Sequence, residues 1–112
     1  SQYDGTFVNP PYGREIRLWC RRIHEEASQG AVILALLPAG ARFSTKYFQD
    51  YILTSPLNAA CFIRGRVKFK RPNEKAPSGS NPYDSVIYGF NVDQAKFLEA
   101  FDGLGSILKI ST

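Results

Sequence analysis

An uninterrupted apolar run from residue 31 to residue 37 constrains the fold of this chain more than any other feature. The run reads Ala-Val-Ile-Leu-Ala-Leu-Leu, without the polar residue at every second position that a half-exposed strand shows. A continuous run of this kind is typical of a strand buried in a parallel sheet, whose faces are covered by helices. Pro38-Ala39-Gly40 follows and ends it. The run therefore predicts a domain of the α/β class.

The segments on either side of this run alternate between strand and helix patterns. Residues 5–8 predict a short strand, and residues 14–28 predict a helix with a core-facing apolar stripe. The stripe consists of Ile16, Trp19, Cys20, Ile23 and Ala27. In chain order, the remaining predictions are a helix from Ser44 or Thr45 to Ser55, strands at 59–64, 66–70 and 84–90, a helix at 91–101 that Asn91 and Gln94 cap, and an edge strand from Ile107 to Ile110.

Length and composition limit the chain to one domain, residues 1–112. These 112 residues are 44% hydrophobic and 13% aromatic, which suffices for one core and is too little for two. No apolar run approaches the roughly 20 residues that span a bilayer, and the N-terminus lacks a charged start followed by an apolar stretch. We therefore expect a soluble, cytoplasmic protein with no membrane partner.

The cysteines and the single histidine are not predicted to bind a metal ion. Cys20 lies on the apolar stripe of the first helix and Cys61 in an apolar strand, so both are expected to be reduced and buried. His24 has no second histidine and no cysteine at ligand spacing, which favours a solvated position on the helix.

The segment Asn9-Pro10-Pro11-Tyr12 directly follows the first predicted strand and precedes the first helix. Ligands of open α/β sheets bind at such carboxyl ends of strands. The two prolines fix the backbone and remove N–H donors, so the loop offers acceptors, namely the side-chain oxygen of Asn9 and the carbonyl of Pro10. The loop is therefore suited to bind an amine.

If these two oxygens accept both hydrogens of a planar, conjugated NH₂ group, its nitrogen lone pair becomes available to attack an electrophilic methyl group. Tyr12 is placed to stack on the flat group that carries the amine, a contact on the order of 1–3 kcal/mol for a base. An extruded adenine fits this arrangement. The same four residues also fit a surface turn that Asn9 caps and on which Tyr12 packs.

Basic residues concentrate between positions 64 and 75 of this chain, whose net charge is +4. Six of the fourteen basic residues lie there with one acid, Glu74; they are Arg64, Arg66, Lys68, Lys70, Arg71 and Lys75. Positions 64, 66, 68 and 70 share one face of an extended strand, which suits contacts with phosphates. A solvated strand edge protected by lysines is the alternative. Phe69 is predicted either to wall the base pocket or to pack in the core.

Five blocks of the sequence together resemble a known family. They are Asn9-Pro10-Pro11-Tyr12-Gly13, the helix with Trp19, Leu36-Leu37-Pro38-Ala39, Gly65-Arg66-Val67-Lys68-Phe69 and Val86-Ile87-Tyr88-Gly89. In this order they resemble the phage-type DNA N6-adenine methyltransferases, over nearly the whole chain. The resemblance implies a Rossmann-like methyltransferase fold, S-adenosylmethionine as cofactor and double-stranded DNA as partner. It also implies that Asn9, Pro10, Pro11 and Tyr12 form the catalytic motif.

In that family, a segment ahead of this motif supplies the first strands of the sheet and most of the cofactor pocket. Only eight residues precede Asn9 here, so the chain resembles the C-terminal portion of such an enzyme, apparently without its N-terminal cofactor-binding strands. Phe101-Asp102-Gly103-Leu104-Gly105 is similar to a methyltransferase cofactor loop. Helical spacing precedes it, however, which favours Gly103 as the end of a helix.

Three other interpretations fit the same residues. In the first, the substrate of the methyl transfer is RNA or protein glutamine, and the basic segment favours RNA over glutamine. The chain is a non-catalytic module that binds DNA or protein and has an unused Asn-Pro-Pro-Tyr loop. The chain works as a homo-oligomer or with a second chain that completes it, in which case an apolar sheet edge should be exposed.

Overall fold

The computed structural model describes residues 5–10, 13, 15–38, 43–65 and 84–111. Within these ranges, the elements in chain order are β1 (Thr6–Val8), α1 (Ile16–Ser28), β2 (Ile33–Pro38), a π-helical turn (Phe48–Ile52), β3 (Leu57–Ile63), β4 (Ser85–Phe90), α2 (Gln94–Phe101) and β5 (Gly105–Lys109). The described chain is thus a mixed α/β domain, which confirms the predicted class. The predicted strand at 66–70 lies outside the described residues.

The five strands form one mixed sheet in the order β1-β2-β4-β3-β5. Strands β1 and β2 are parallel, and β4 lies antiparallel between β2 and β3. Consequently β1, β2 and β3 run in one direction, and β4 and β5 run in the other. The apolar run 31–37 therefore supplies most of a largely buried strand, as predicted, although β2 begins at Ile33 and includes Pro38. It has one parallel and one antiparallel neighbour rather than two parallel ones.

Helices cover both faces of the sheet. On one face, α1 and the π-helical turn pack on a buried cluster that includes Ile16, Cys20, Ile23, Ala27, Phe48, Ile52, Val86, Tyr88 and Phe90. On the other face, a smaller cluster contains Leu36, Ala59, Cys61, Ile87, Val92 and Phe97, the last of which lies on α2. Each large apolar side chain in these clusters stabilises the fold by about 1.5–3 kcal/mol.

Trp19 does not belong to the core, so this part of the predicted stripe is wrong. The other four residues of the α1 stripe are buried, whereas Trp19 is 39% exposed. Trp19 borders the groove beside Thr6 and Val8 of β1. Among the described strands, β1 has a neighbour on one side only, so none of them lies beneath the indole ring.

The predicted capping pair at the start of α2 is also wrong. Asp93 caps this helix, because its Oδ1 accepts a hydrogen bond from the backbone N–H of Lys96 at 3.1 Å. Gln94 instead donates from Nε2 to the backbone carbonyl of Asn58 at 2.7 Å. Asn91 adopts a positive φ of 57°, and its Nδ2 donates to the carbonyls of Ala27 and Ala31, both at 2.8 Å. Asn91 thus links the end of β4 to the end of α1.

A series of substitutions at Asn91 separates its two contributions to stability. Asn91→Gly keeps the positive φ but removes two hydrogen bonds to buried carbonyls, so we expect a loss of about 1–3 kcal/mol. Asn91→Ala removes the same bonds and adds the cost of a left-handed backbone, about 1 kcal/mol more. Urea unfolding followed by circular dichroism measures both losses. Equal stability of the glycine and alanine variants would contradict the backbone contribution.

Candidate functional site

The carboxyl ends of β1, β2 and β3 lie at one edge of the sheet, here called the carboxyl edge. These three strands run in the same direction and end at Val8, Pro38 and Ile63. Strand β4 starts at the same edge, because Ser85 pairs with Pro38, and β5 also starts there, because Gly105 pairs with Ile63. Ligands of open α/β sheets bind at this edge.

Asn9 and Pro10 lie at the carboxyl edge directly after β1. Asn9 is exposed, so its side chain is accessible to a ligand, whereas Pro10 is buried. Burial of the proline ring and its fixed φ hold the backbone rigidly at the point where Asn9 leaves the strand. Helix α1 begins soon afterwards, at Ile16, and the N–H of Ile16 donates to the carbonyl of Gly13 at 3.2 Å. Pro11 and Tyr12 lie outside the described residues.

Arg64 extends the candidate site along the carboxyl edge. It follows β3 directly, is exposed, and its N–H donates to the carbonyl of Leu104 at 3.1 Å. Three strand spacings, roughly 14 Å, separate β1 from β3 across the sheet, and the strand register places Arg64 about three residues beyond the level of Asn9. The described chain stops at Gly65 and resumes at Asp84, next to the start of β4. The other predicted DNA-binding residues, Arg66, Lys68, Phe69, Lys70, Arg71 and Lys75, lie outside the described residues.

The glycine-rich segment after α2 does not fit a cofactor loop. A nucleotide-binding loop follows a strand and opens a helix, whereas this segment follows helix α2 and opens strand β5. Gly103 has a φ of +87°, which confirms its prediction as a helix end. A Cβ atom on Gly105 would lie 2.1 Å from the carbonyl oxygen of Phe62, so strand packing explains this glycine. No residue of this segment is therefore assigned to the binding of S-adenosylmethionine.

His24 occupies a structural position rather than the predicted solvated one. It is half-buried, and its Nδ1 lies 2.9 Å from Oγ of Ser55 and 3.2 Å from the carbonyl of Tyr51. The hydroxyl of Ser55 donates to that same carbonyl, so Nδ1 of His24 carries a hydrogen and donates to Ser55. These bonds join α1 to the end of the π-helical turn, at the edge opposite Asn9. Their partners come from distant segments, so the sequence carried no signal for them.

The buried thiols are free, as predicted, and their surroundings oppose ionisation. Burial beneath α1 raises the pKa of the Cys20 thiol from 9.0 to about 12. Burial likewise raises the pKa of Cys61. The phenol of Tyr88 belongs to the same cluster as Cys20, and its pKa is raised by burial and by the nearby Cys20. These groups are therefore neutral at physiological pH, and the buried thiols are not in the reactive thiolate form.

Alkaline pH is expected to destabilise the fold through Cys20. Above pH 9.0 the unfolded chain loses the thiol proton while the folded chain keeps it until about pH 12. The unfolded state thus binds fewer protons in this window, and stability falls as pH rises, at most about 1.4 kcal/mol per pH unit. Urea unfolding at several pH values should give a shallower slope for Cys20→Ala than for the wild type. Identical slopes would contradict this account.

Comparison of the chain with protein-family models, curated proteins and solved structures gave no match. The family resemblance thus stays a prediction that rests on the quoted sequence blocks. Among the described residues, no group of three or more histidine, cysteine or acidic side chains is arranged to hold a metal ion. None of the helices in the described ranges has the length and apolar character needed to cross a membrane.

Proposed function

We propose that this chain methylates the exocyclic N6 amine of adenine in DNA, as the phage-type methyltransferases that it resembles do. One observation carries the proposal. The Asn9-Pro10 segment and Arg64, which begins the basic segment, lie at the same edge of the sheet. The acceptor residues for a base and the first residue of the basic segment thus share one edge, which suits contacts with a single nucleotide chain.

The acceptor side of the reaction follows from the chemistry of Asn9 and Pro10. The Asn9 side-chain oxygen and the Pro10 carbonyl each accept one N–H of the adenine amine. This draws the nitrogen lone pair out of conjugation with the ring. The lone pair would then attack the methyl group of the sulfonium donor, whose methyl–sulfur bond would break so that the donor leaves as a neutral thioether. The nitrogen then loses a proton to solvent. The fixed oxygens stabilise the positive charge that develops on nitrogen, which is catalysis by preorganised dipoles.

The base must leave the duplex to reach this edge. Extrusion costs a few kcal/mol, which stacking on an aromatic ring partly offsets. Tyr12 follows the two prolines in sequence and is proposed to supply this ring, with Phe69 on the opposite side of the base. Arg64, Arg66, Lys68, Lys70, Arg71 and Lys75 are proposed to bind the phosphates.

The proposed fold is the Rossmann-like methyltransferase fold. Three strands of one direction that end at a common edge, with helices on both faces, support this assignment. The antiparallel β4 between β2 and β3 departs from a purely parallel doubly wound sheet. S-adenosylmethionine is the methyl donor that the resemblance implies. The glycine-rich segment after α2 does not fit a binding loop for this cofactor. The residue roles proposed here therefore concern only the binding of DNA and of its adenine base.

The substrate class is tested with a radiolabelled methyl group on S-adenosylmethionine. The chain is incubated in parallel with duplex DNA, single-stranded RNA of the same sequence and a glutamine-containing peptide. We expect label in DNA alone, because the base is held by its amine and the phosphates by the basic segment. Label in the peptide and not in DNA would show that the substrate is glutamine and not adenine.

A second candidate function is DNA binding without methyl transfer. It is favoured by the misfit between the glycine-rich segment and a cofactor loop. The six basic residues between positions 64 and 75 would then bind phosphates, and affinity would fall steeply with salt. DNA binding with a salt slope of about −5, together with no label in any substrate, would favour this candidate.

A further inference from the structure

One aromatic side chain beside the carboxyl edge is accessible and yet held in place. Phe43 is the first described residue after β2, and it is 38% exposed. Its ring packs against the ring of Phe48, with centroids 5.2 Å apart. Nε2 of Gln49 donates a hydrogen bond to the backbone carbonyl of Phe43 at 2.7 Å. Both contacts come from within the chain, and together they fix the ring while part of its surface stays accessible.

The partner ring anchors Phe43 over strand β4. Phe48 is buried and packs edge-on against Tyr88 of β4, with ring centroids 5.6 Å apart. Through the register of the intervening β2, Tyr88 is level with Val8, the residue before Asn9. Strand β4 lies two strand spacings, roughly 10 Å, from β1. The aromatic pair is therefore at the level of the end of β1 but further across the sheet.

The course of the chain places Phe43 toward the carboxyl edge. The chain leaves this edge at Pro38, the last residue of β2, and enters β3 at Leu57, at the opposite edge. Phe43 belongs to the first part of this connection. Strand β4 lies between β2 and β3 in the sheet. Asn9 after β1, Phe43 over β4 and Arg64 after β3 therefore follow one another along the carboxyl edge.

A phenylalanine ring at this position suits contact with a flat group. The ring has no hydrogen-bonding atom, and its face stacks on other π systems, which in DNA are the bases. The two faces of the extruded adenine are already assigned to Tyr12 and Phe69. The base next to it in the strand has lost the adenine as its stacking neighbour and offers a face of its own. Packing on Phe48 without any ligand contact is the alternative role of Phe43.

We propose that Phe43 stacks on a base of the DNA strand that runs along the carboxyl edge from Asn9 to Arg64. Asn9 holds the amine of the extruded adenine, Phe43 holds a neighbouring base, and Arg64 contacts a phosphate. Because Phe48 and Gln49 already fix Phe43, little conformational freedom is lost when the base stacks. This inference rests on the DNA binding of the proposed function and does not require methyl transfer.

A comparison of two oligonucleotides tests the stacking. One is a fluorescently labelled single strand of DNA with mixed sequence, and the other has the same length and phosphates but abasic sites throughout. Fluorescence anisotropy gives the dissociation constants for the wild type and for Phe43→Leu, which keeps an apolar side chain but removes the ring. We expect Phe43→Leu to bind the base-bearing strand about tenfold more weakly and the abasic strand equally well. The salt slope should stay unchanged, because no charge is removed.

An indole at position 43 reports the stacking directly. Trp19 is the only tryptophan of the chain, so the double variant Trp19→Phe/Phe43→Trp emits from position 43 alone. An indole that stacks on a base loses fluorescence, so we expect quenching by the base-bearing strand and none by the abasic strand. The matched control is Trp19→Phe/Leu53→Trp. Leu53 is 49% exposed and follows the π-helical turn, toward the opposite edge, so its replacement should keep full emission with both strands.

The outcomes separate this inference from the proposed function, provided that circular dichroism verifies the folding of each variant and that wild-type binding to duplex DNA is measured alongside. Wild-type affinity of Phe43→Leu for the base-bearing strand, or an unquenched indole at position 43, would overturn the stacking and leave the proposed DNA binding intact. An equal loss of affinity for both strands would also overturn it, because the abasic strand has nothing to stack. A wild-type chain that binds no DNA would contradict the proposed function together with this inference.

Discussion

Asn9→Ala is expected to reduce methyl transfer to DNA by about 10²- to 10³-fold, the usual loss when one group that stabilises transition-state charge is removed. In the proposed mechanism the Asn9 oxygen accepts one of the two amine hydrogens, and alanine leaves that hydrogen without a partner. Initial rates with saturating S-adenosylmethionine and duplex DNA measure the loss. Because Asn9 is exposed, the unfolding free energy should stay within about 0.5 kcal/mol of the wild type.

The control for this variant is Gln29→Ala. Gln29 is an exposed amide at the opposite end of α1, and its substitution should leave the rate of methyl transfer unchanged. An Asn9→Ala variant with full activity would contradict the assigned role. A variant that is inactive because it unfolds would favour the alternative in which Asn9 caps a turn.

Phe97→Ala is expected to destabilise the fold by about 3–5 kcal/mol. Phe97 is 1% exposed and is the buried residue by which α2 covers the second face of the sheet. Its ring packs against Phe101, with centroids 4.9 Å apart, and lies over Gly89, where a Cβ atom would be 3.0 Å from Cε2 of Phe97. Alanine leaves a cavity above a glycine, which has no side chain of its own to fill it. Denaturant unfolding followed by far-ultraviolet circular dichroism measures the loss.

Leu98→Ala is the matched control, because Leu98 lies one position further along α2 and is 41% exposed. It should cost less than about 1 kcal/mol. Similar losses of stability for the two variants would contradict the assignment of Phe97 to the buried cluster on the second face of the sheet.

The sequence predicted most elements because their patterns are local. The apolar run 31–37, the stripe with Ile16, Cys20 and Ile23, and the glycine at 103 each depend on residues close in the chain. The strand order was not accessible, because β4 inserts between β2 and β3 without a local signal. The mixed environment of β2 follows from that order and could not be read from its composition.

The errors concern residues whose environment is set by distant segments. Trp19 has the spacing of a core residue, but β1 is the outermost of the described strands, and the indole ring beside it is half-exposed. The position of Asn91 just before α2 predicts a helix cap, whereas its side chain bonds to Ala27 and Ala31, which are 64 and 60 positions away. His24 finds its partner in Ser55, at the far end of the π-helical turn.

The candidate site was predictable in part. The position of Asn9 at the end of a strand follows from the local pattern, and the structure agrees. That Arg64 lies at the same edge required the directions of β1 and β3, which only the paired sheet reveals. The shared edge is therefore the structural contribution to the proposed function.

The most direct measurement of the central claim is the identity of the methylated nucleoside. Duplex DNA is incubated with the wild-type chain and S-adenosylmethionine, digested to nucleosides and analysed by mass spectrometry. The account predicts N6-methyldeoxyadenosine, formed by the wild type and absent with Asn9→Ala. A folded wild-type chain that binds this DNA and forms no N6-methyldeoxyadenosine would contradict it.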